Sequence, residues 1–276
     1  MRLLASENHA VHVCGHRGHS IAAPENTIAA LEAARAAGAT TCEIDVVLCR
    51  DDEIVLAHDV TLDRTTDGTG LIASRDAAEI AALDAGGWFG PEFQGEPMPT
   101  LREVLAFARG SGLGLVVEIK ERARVERLVE RLAALLDETG AIDDVVLLSF
   151  DHVDLLRAKE RLPGIRTEGI THARHADPVG VARAARLDSL SIELERFHPV
   201  DAAALHAAGV AIRCHLPPPS ELAALVRYGV DVEPEIGRWL SAGLIDTVSG
   251  DDVAWLAELV ARYPLRPEPG NRTFSR

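Results

Sequence analysis

The chain has 276 residues, 47% of them apolar and 26% charged, a globular composition with ample material for one large core. Asp and Glu outnumber Lys and Arg by 43 to 28, and the resulting net charge of −15 disfavours nucleic acid and anionic membrane surfaces as partners. A small anionic substrate held by local cations stays compatible with that field. The opening MRLLASENHAV is too short and polar for a signal peptide, and no run approaches the roughly 18 apolar residues of a membrane span. Cys14, Cys42, Cys49 and Cys214 include no CxxC and read as reduced, buried thiols. The expectation is a cytoplasmic protein with no integral membrane association.

In chain order, VHVCG (11–15) reads as the first strand and NTIAALEAARAAG (26–38) as a helix. The strand TCEIDVVL (41–48) follows, then the helix TLREVLAFARGSG (100–112), the strand LGLVVEIK (113–120) and the helix RVERLVERLAALLDETG (124–140). VVLLSF (145–150), RTEGIT (166–171), SLSIELE (189–195), VAIRCHL (210–216) and LIDTVSG (244–250) continue the strands. Helical patterns separate them at 152–164, 178–188, 199–209 and 220–230, and a last one follows at 251–263. Several end in Gly, the residue best suited to a left-handed C-cap. Eight strands alternating with eight helices predict a single α/β domain over 1–276, a closed (β/α)8 barrel of TIM type. An open doubly wound sheet is the rival, disfavoured because no GxGxxG follows the first strand.

Residues 60–99 break the rhythm. They are rich in Gly, Pro and Asp and too long for an ordinary connection, so they predict a small folded insertion after the second strand, over the C-terminal barrel face. The closing RPEPGNRTFSR reads as frayed.

Strand alternation gives the first chemistry. Glu43 and Asp45 share one face of CEID with Ile44 opposite, and parallel barrel strands are normally apolar on both faces. Glu118 ends the neighbouring strand, with Lys120 two residues on. Three carboxylates at one barrel mouth repel unless a cation joins them, which points to a hard divalent ion on oxygen ligands, Mg²⁺ or Ca²⁺. The alternative is three separate ion pairs, with Lys120 and Arg17 supplying the positive charge. His16 ends the first strand and His58 ends the returning run EIVLAHD, so both reach the same rim, where a histidine pair suits general acid–base work. His9, His12, His19, His152, His172, His175, His198 and His206 read as structural or surface residues. Arg17 is a planar cation able to hold a phosphoryl oxygen or to bridge one of the carboxylates. Together these groups suit cleavage of a small phosphodiester.

GHRGHSIAAPENT, CEIDVVLCRDDEIVLAHDVTLDRTTDGTG, PTLREVL and VVEIK, in that order, resemble the glycerophosphodiester phosphodiesterases. The match runs from His16 to Lys120 and thins to 147–170 and 243–252. The resemblance implies a (β/α)8 barrel with an insertion after the second strand. It implies hydrolysis of glycerophosphodiesters to sn-glycerol 3-phosphate and an alcohol, with one divalent cation. His16 and His58 then form the acid–base pair, Glu43, Asp45 and Glu118 the metal ligands, and Arg17 and Lys120 the phosphate contacts. In the opening loop, Gly18 is expected to leave room for substrate, Asn26 to cap the following helix and Glu25 to support the site.

The chain departs from the family at Arg213-Cys214-His215, where a Trp-Thr pair is usual, and at Val248-Ser249-Gly250-Asp251-Asp252, where Thr-Asp-x-Pro is usual. EPEIGRWLSAG (233–243) looks inserted before the last strand. Two alternatives stand beside the hydrolase. One is a lyase acting on lysophospholipids or sphingomyelin and releasing cyclic phosphates; the other is a catalytically idle metal-binding barrel.

Overall fold

The structure, a computed structural model, describes residues 2–266; apart from Arg266, the stretch expected to fray lies outside the described residues. A short helix, α1 (Ala5–Asn8), precedes β1 (His12–His16), α2 (Ile28–Ala36), β2 (Thr41–Leu48) and β3 (Ile54–Leu56). The insertion carries α3 (Ala77–Ile80) and two short 3-10 turns, and α4 (Leu101–Ser111) and β4 (Gly114–Ile119) follow. The chain continues through α5 (Val125–Thr139), β5 (Val145–Ser149), α6 (His152–Arg161), β6 (Arg166–Thr171), α7 (Pro178–Ala184) and β7 (Ser189–Glu193). It closes with α8 (Pro199–Ala207), β8 (Ala211–His215), α9 (Pro219–Val226), α10 (Glu233–Ser241), β9 (Thr247–Gly250) and α11 (Val253–Arg262).

Eight strands run parallel in the order β1-β9-β8-β7-β6-β5-β4-β2, and pairing of β1 with β2 closes them into the expected barrel. β3 is a ninth strand, antiparallel to the C-terminal half of β2 through Val46, Val47 and Leu48. That pairing brings the chain back toward the barrel mouth after the turn at Asp52, and the Ala57 N–H donates to the Asp45 carbonyl at 3.1 Å. The stretch that looked inserted before the last strand is α10. It is amphipathic, burying Ile236, Gly237 and Leu240.

Alternation along the strands sorts the core. Cys42, Ile44, Val46, Leu115, Val117, Val145 and Leu147 face outward and pack on Leu31, Leu101, Leu128, Leu132 and Leu155 of the surrounding helices. The opposite faces of β4 and β5, with Cys14 of β1, fill the barrel through Val116, Val146 and Leu148, against which Leu3 packs. Residues 60–99 enclose a second small core of Leu62, Ile72, Ile80, Ala85 and Met98, built onto Val47, Cys49, Val55 and Ala57. Burial of several aliphatic side chains at about 1.5–3 kcal/mol each lets so Gly-rich a segment hold its shape.

Candidate active site

The inward face of β2 carries Glu43 and Asp45, each 1% exposed, and β4 adds Glu118 at 5%. Oxygens of the three lie within 4.8 Å of one another. The register puts Asp45 directly opposite Glu118. Burial, then the charge of Asp45, pushes the Glu43 carboxyl up to about 8. Glu43 Oε1, Asp45 Oδ1 and Glu118 Oε1 are buried with no hydrogen-bond partner. Lys120 Nζ stands 2.6 Å from that Glu118 oxygen and 3.4 Å from that Asp45 oxygen, as an ion-pair contact. Two cations, Lys120 and Arg17, meet three buried acids, a set that needs a proton or a further positive charge to be neutral, and its carboxyl oxygens are hard donors. The residues fit a hard divalent cation.

His16 and His58 are held alike. His16 Nδ1 meets Asp251 Oδ1 at 2.7 Å, and His58 Nδ1 meets Asp59 Oδ1 at 2.7 Å. A carboxylate on Nδ1 selects the tautomer that leaves Nε2 free for a reacting group. Burial opposes charge on His16, but the Asp251 hydrogen bond and the nearby Glu43 outweigh it and raise the pKa above its ordinary value. Asp59 drops to about 2, chiefly through its hydrogen bond from Arg64.

Arg17 takes a left-handed conformation that turns its backbone N–H onto Glu43 Oε2 at 3.1 Å. Its guanidinium reaches Glu25 Oε1 at 2.9 Å and Asp45 Oδ2 at 3.2 Å. Arg64, from the insertion, grips both oxygens of Glu25 and then Asp59 at 2.6 Å. A continuous charge network thus runs from Asp45 through Arg17, Glu25 and Arg64 to Asp59 and His58.

Two expectations for the opening loop are corrected. Thr27, not Asn26, caps α2, its hydroxyl accepting from the Ala30 N–H. Asn26 turns inward: its amide donates to Asp45 Oδ2 at 2.9 Å and its carbonyl oxygen accepts the Asp45 N–H at 3.0 Å. Gly18 makes room for α2 and not for substrate. A Cβ there would stand 2.7 Å from Ala30, and its φ of +88° is left-handed.

A cavity of about 1030 Å³ opens over these groups, lined by His16, Arg17, Glu43, His58, Glu118 and Lys120, with Asp45 beneath them. Its lining includes no residue of 60–99. The far wall adds residues to which sequence reasoning gave no catalytic or binding role, two of them in the departing Arg213-Cys214-His215 stretch. His215 meets His16 edge-on, ring centroids 5.2 Å apart, and burial followed by the charges of His16 and Arg213 pushes it down to about 4. Arg213 pairs inside the barrel with Glu168 at 2.7 Å. His152 and His172, set aside as structural, also line the cavity. His172 Nδ1–H donates to Glu193 Oε1 at 2.8 Å, and its ring lies against Phe150 with centroids 4.7 Å apart. Inward alternation along RTEGIT, SLSIE and AIRCH was the signal available for these positions.

Residues 16–232 match the model of the Glycerophosphoryl diester phosphodiesterase family. The chain is 30% identical over 251 residues to the glycerophosphodiester phosphodiesterase of Caldanaerobacter subterraneus subsp. tengcongensis, covering 91% of this chain and 98% of that protein. It is 38% identical over 161 residues to the Bacillus subtilis protein YhdW, covering 58% of this chain and 66% of that protein. Its fold is similar to the solved structure of an Oleispira antarctica phosphodiesterase in complex with the product sn-glycerol-3-phosphate. That match has a TM-score of 0.76 at 30% identity and covers 92% of this chain and 98% of the other.

Proposed function

From the premise that the chain belongs to the glycerophosphoryl diester phosphodiesterase family, and is thus a phosphoric diester hydrolase, we propose how it works and on what. It cleaves glycerophosphodiesters to sn-glycerol 3-phosphate and an alcohol, using one divalent cation, Mg²⁺ or Ca²⁺. Glu43, Asp45 and Glu118 hold the cation, which when bound supplies Lewis-acid stabilisation of the phosphoryl charge. Arg17 and Lys120 orient the phosphate beside it. Nε2 of one histidine, His16 or His58, takes the proton of the attacking hydroxyl. Nε2 of the other gives a proton to the departing oxygen. The same pair serves whether the attacking hydroxyl is water or the substrate's own glycerol group.

The observation that carries this reading is the matched pair of carboxylate-held histidines sharing one cavity with three buried acids. The cavity suits a small-molecule phosphodiester, and the acidic surface argues against nucleic acid. Four free, buried cysteines support a reducing compartment such as the cytoplasm. No helix among the described residues is long and apolar enough to cross a membrane.

The test is product analysis on glycerophosphocholine. Release of sn-glycerol 3-phosphate is expected to stop with EDTA and to return with Mg²⁺ or Ca²⁺. His16→Ala and His58→Ala are each expected to lose turnover by roughly 100-fold or more while still binding the cation. Cyclic phosphate formed without sn-glycerol 3-phosphate would turn the assignment to the lyase, and full turnover in EDTA would remove the metal from it.

A further inference from the structure

We propose that Asp251 is a positioning residue for His16, fixing the ring so that Nε2 faces the substrate. This rests on the acid–base reading of His16. Asp251 lies just past β9, within the stretch that departs from the usual eighth-strand signature. Its Oδ1 takes His16 Nδ1 at 2.7 Å and the Ser20 hydroxyl at 3.2 Å. Its backbone carbonyl meets His19 Nδ1 at 3.1 Å. The loop that presents His16 is therefore tied at three points to one residue of the last strand's loop. The adjacent Asp252 has a separate task, since its side chain caps α11 by accepting the Trp255 N–H at 3.0 Å. Asp251 has no part in that cap, and its side-chain contacts go to the catalytic loop.

The chemical consequence follows from tautomers. A free neutral imidazole leaves the proton position weakly determined, whereas a carboxylate on Nδ1 keeps the proton there and Nε2 available. His58 has the same arrangement through Asp59, but that carboxylate also answers to Arg64. Among the described residues Asp251 meets no guanidinium; its partners there are His16, Ser20 and, through the backbone, His19.

Asp251→Asn keeps the shape and removes the charge. Kinetics on glycerophosphocholine at saturating Mg²⁺ are expected to show kcat lower by roughly tenfold or more with KM little changed. Asp251→Glu is expected to recover part of kcat. In ¹⁵N-histidine spectra at alkaline pH, where the ring is neutral, His16 of the parent protein is expected as the Nδ1–H tautomer. Asp251→Asn is expected to lose that tautomer at an unchanged Tm. An Asp251→Asn protein that keeps kcat, or keeps the Nδ1–H tautomer, overturns the proposal provided His16→Ala is inactive. If His16→Ala is itself active, it is the acid–base reading that fails.

Discussion

Asn26 does two things that no other residue type combines. Its φ of 59° places it in the left-handed region, which Asn tolerates better than most side chains. Its amide meanwhile clamps both the carboxylate and the backbone N–H of Asp45. Asn26→Ala is expected to destabilise the fold by about 1–3 kcal/mol, from backbone strain plus an unsatisfied buried partner. Asn26→Gly removes only the strain. Urea unfolding should rank the two variants in that order, and both should bind Mg²⁺ more weakly in a calorimetric titration. Unchanged Mg²⁺ affinity in Asn26→Gly would mean that Asp45 is held by other contacts. The acids could be read from strand alternation, which depends on neighbours one and two residues away, and the histidines from the strand ends that carry them. Asn26 could not, since Asn and Thr are both good caps and stand side by side. Only the tertiary contact with β2 decides between them.

Among the elements, the insertion's influence is concentrated in one side chain. Arg64 is 43% exposed, yet it joins Glu25 to Asp59 and through them touches both Arg17 and His58. Losing a partly exposed ion-pair residue costs little stability, typically below about 1 kcal/mol. Arg64→Met is therefore expected to leave Tm nearly unchanged while lowering kcat by roughly tenfold, since Asp59 and Glu25 lose their shared orientation. Arg64→Lys should recover only part of that, because an ammonium lacks the planar fork that grips both oxygens of Glu25 while reaching Asp59. Steady-state kinetics beside calorimetry checks this; a fully active Arg64→Met would make the network a surface feature. Length, composition and the break in the β/α rhythm marked 60–99 as a candidate insertion. They were silent on β3, a strand of three residues whose pairing to β2 decides where His58 lands. They were equally silent on the Arg213–Glu168 pair, since a buried charge reads like any other charge until its partner across two strands is known.

For the whole molecule, the buried acids link stability to both pH and metal. In the metal-free protein Glu43 keeps its proton up to about 8, whereas the unfolded chain gives it up near 4.5. Between those values the folded state binds more protons, so this group's contribution makes stability fall as pH rises, with the full penalty above about 8. Thermal unfolding in EDTA should show that decline, and Glu43→Gln should flatten it. A divalent ion at about 100 times its Kd adds about 2.7 kcal/mol. It competes with the proton, so the gap between Mg²⁺ and EDTA curves should widen toward alkaline pH. Curves that coincide at every pH would leave the carboxylates without a cation.

The first and last barrel strands, β1 and β9, pair with Gly15 opposite Gly250, and the His16–Asp251 contact spans that seam across 235 residues of sequence. A chain leaving the ribosome has made His16, His58, the three acids, Arg17 and Lys120 before half its length is out, and none of them can yet work as a unit. Contacts of such sequence separation form late, because the intervening chain must be ordered first. Activity is therefore expected only once the first and last strands have paired. An incompletely synthesised copy holds every residue of the proposed machinery but lacks the strand whose loop positions His16, so on the proposed mechanism it is expected to stay inactive until that strand docks.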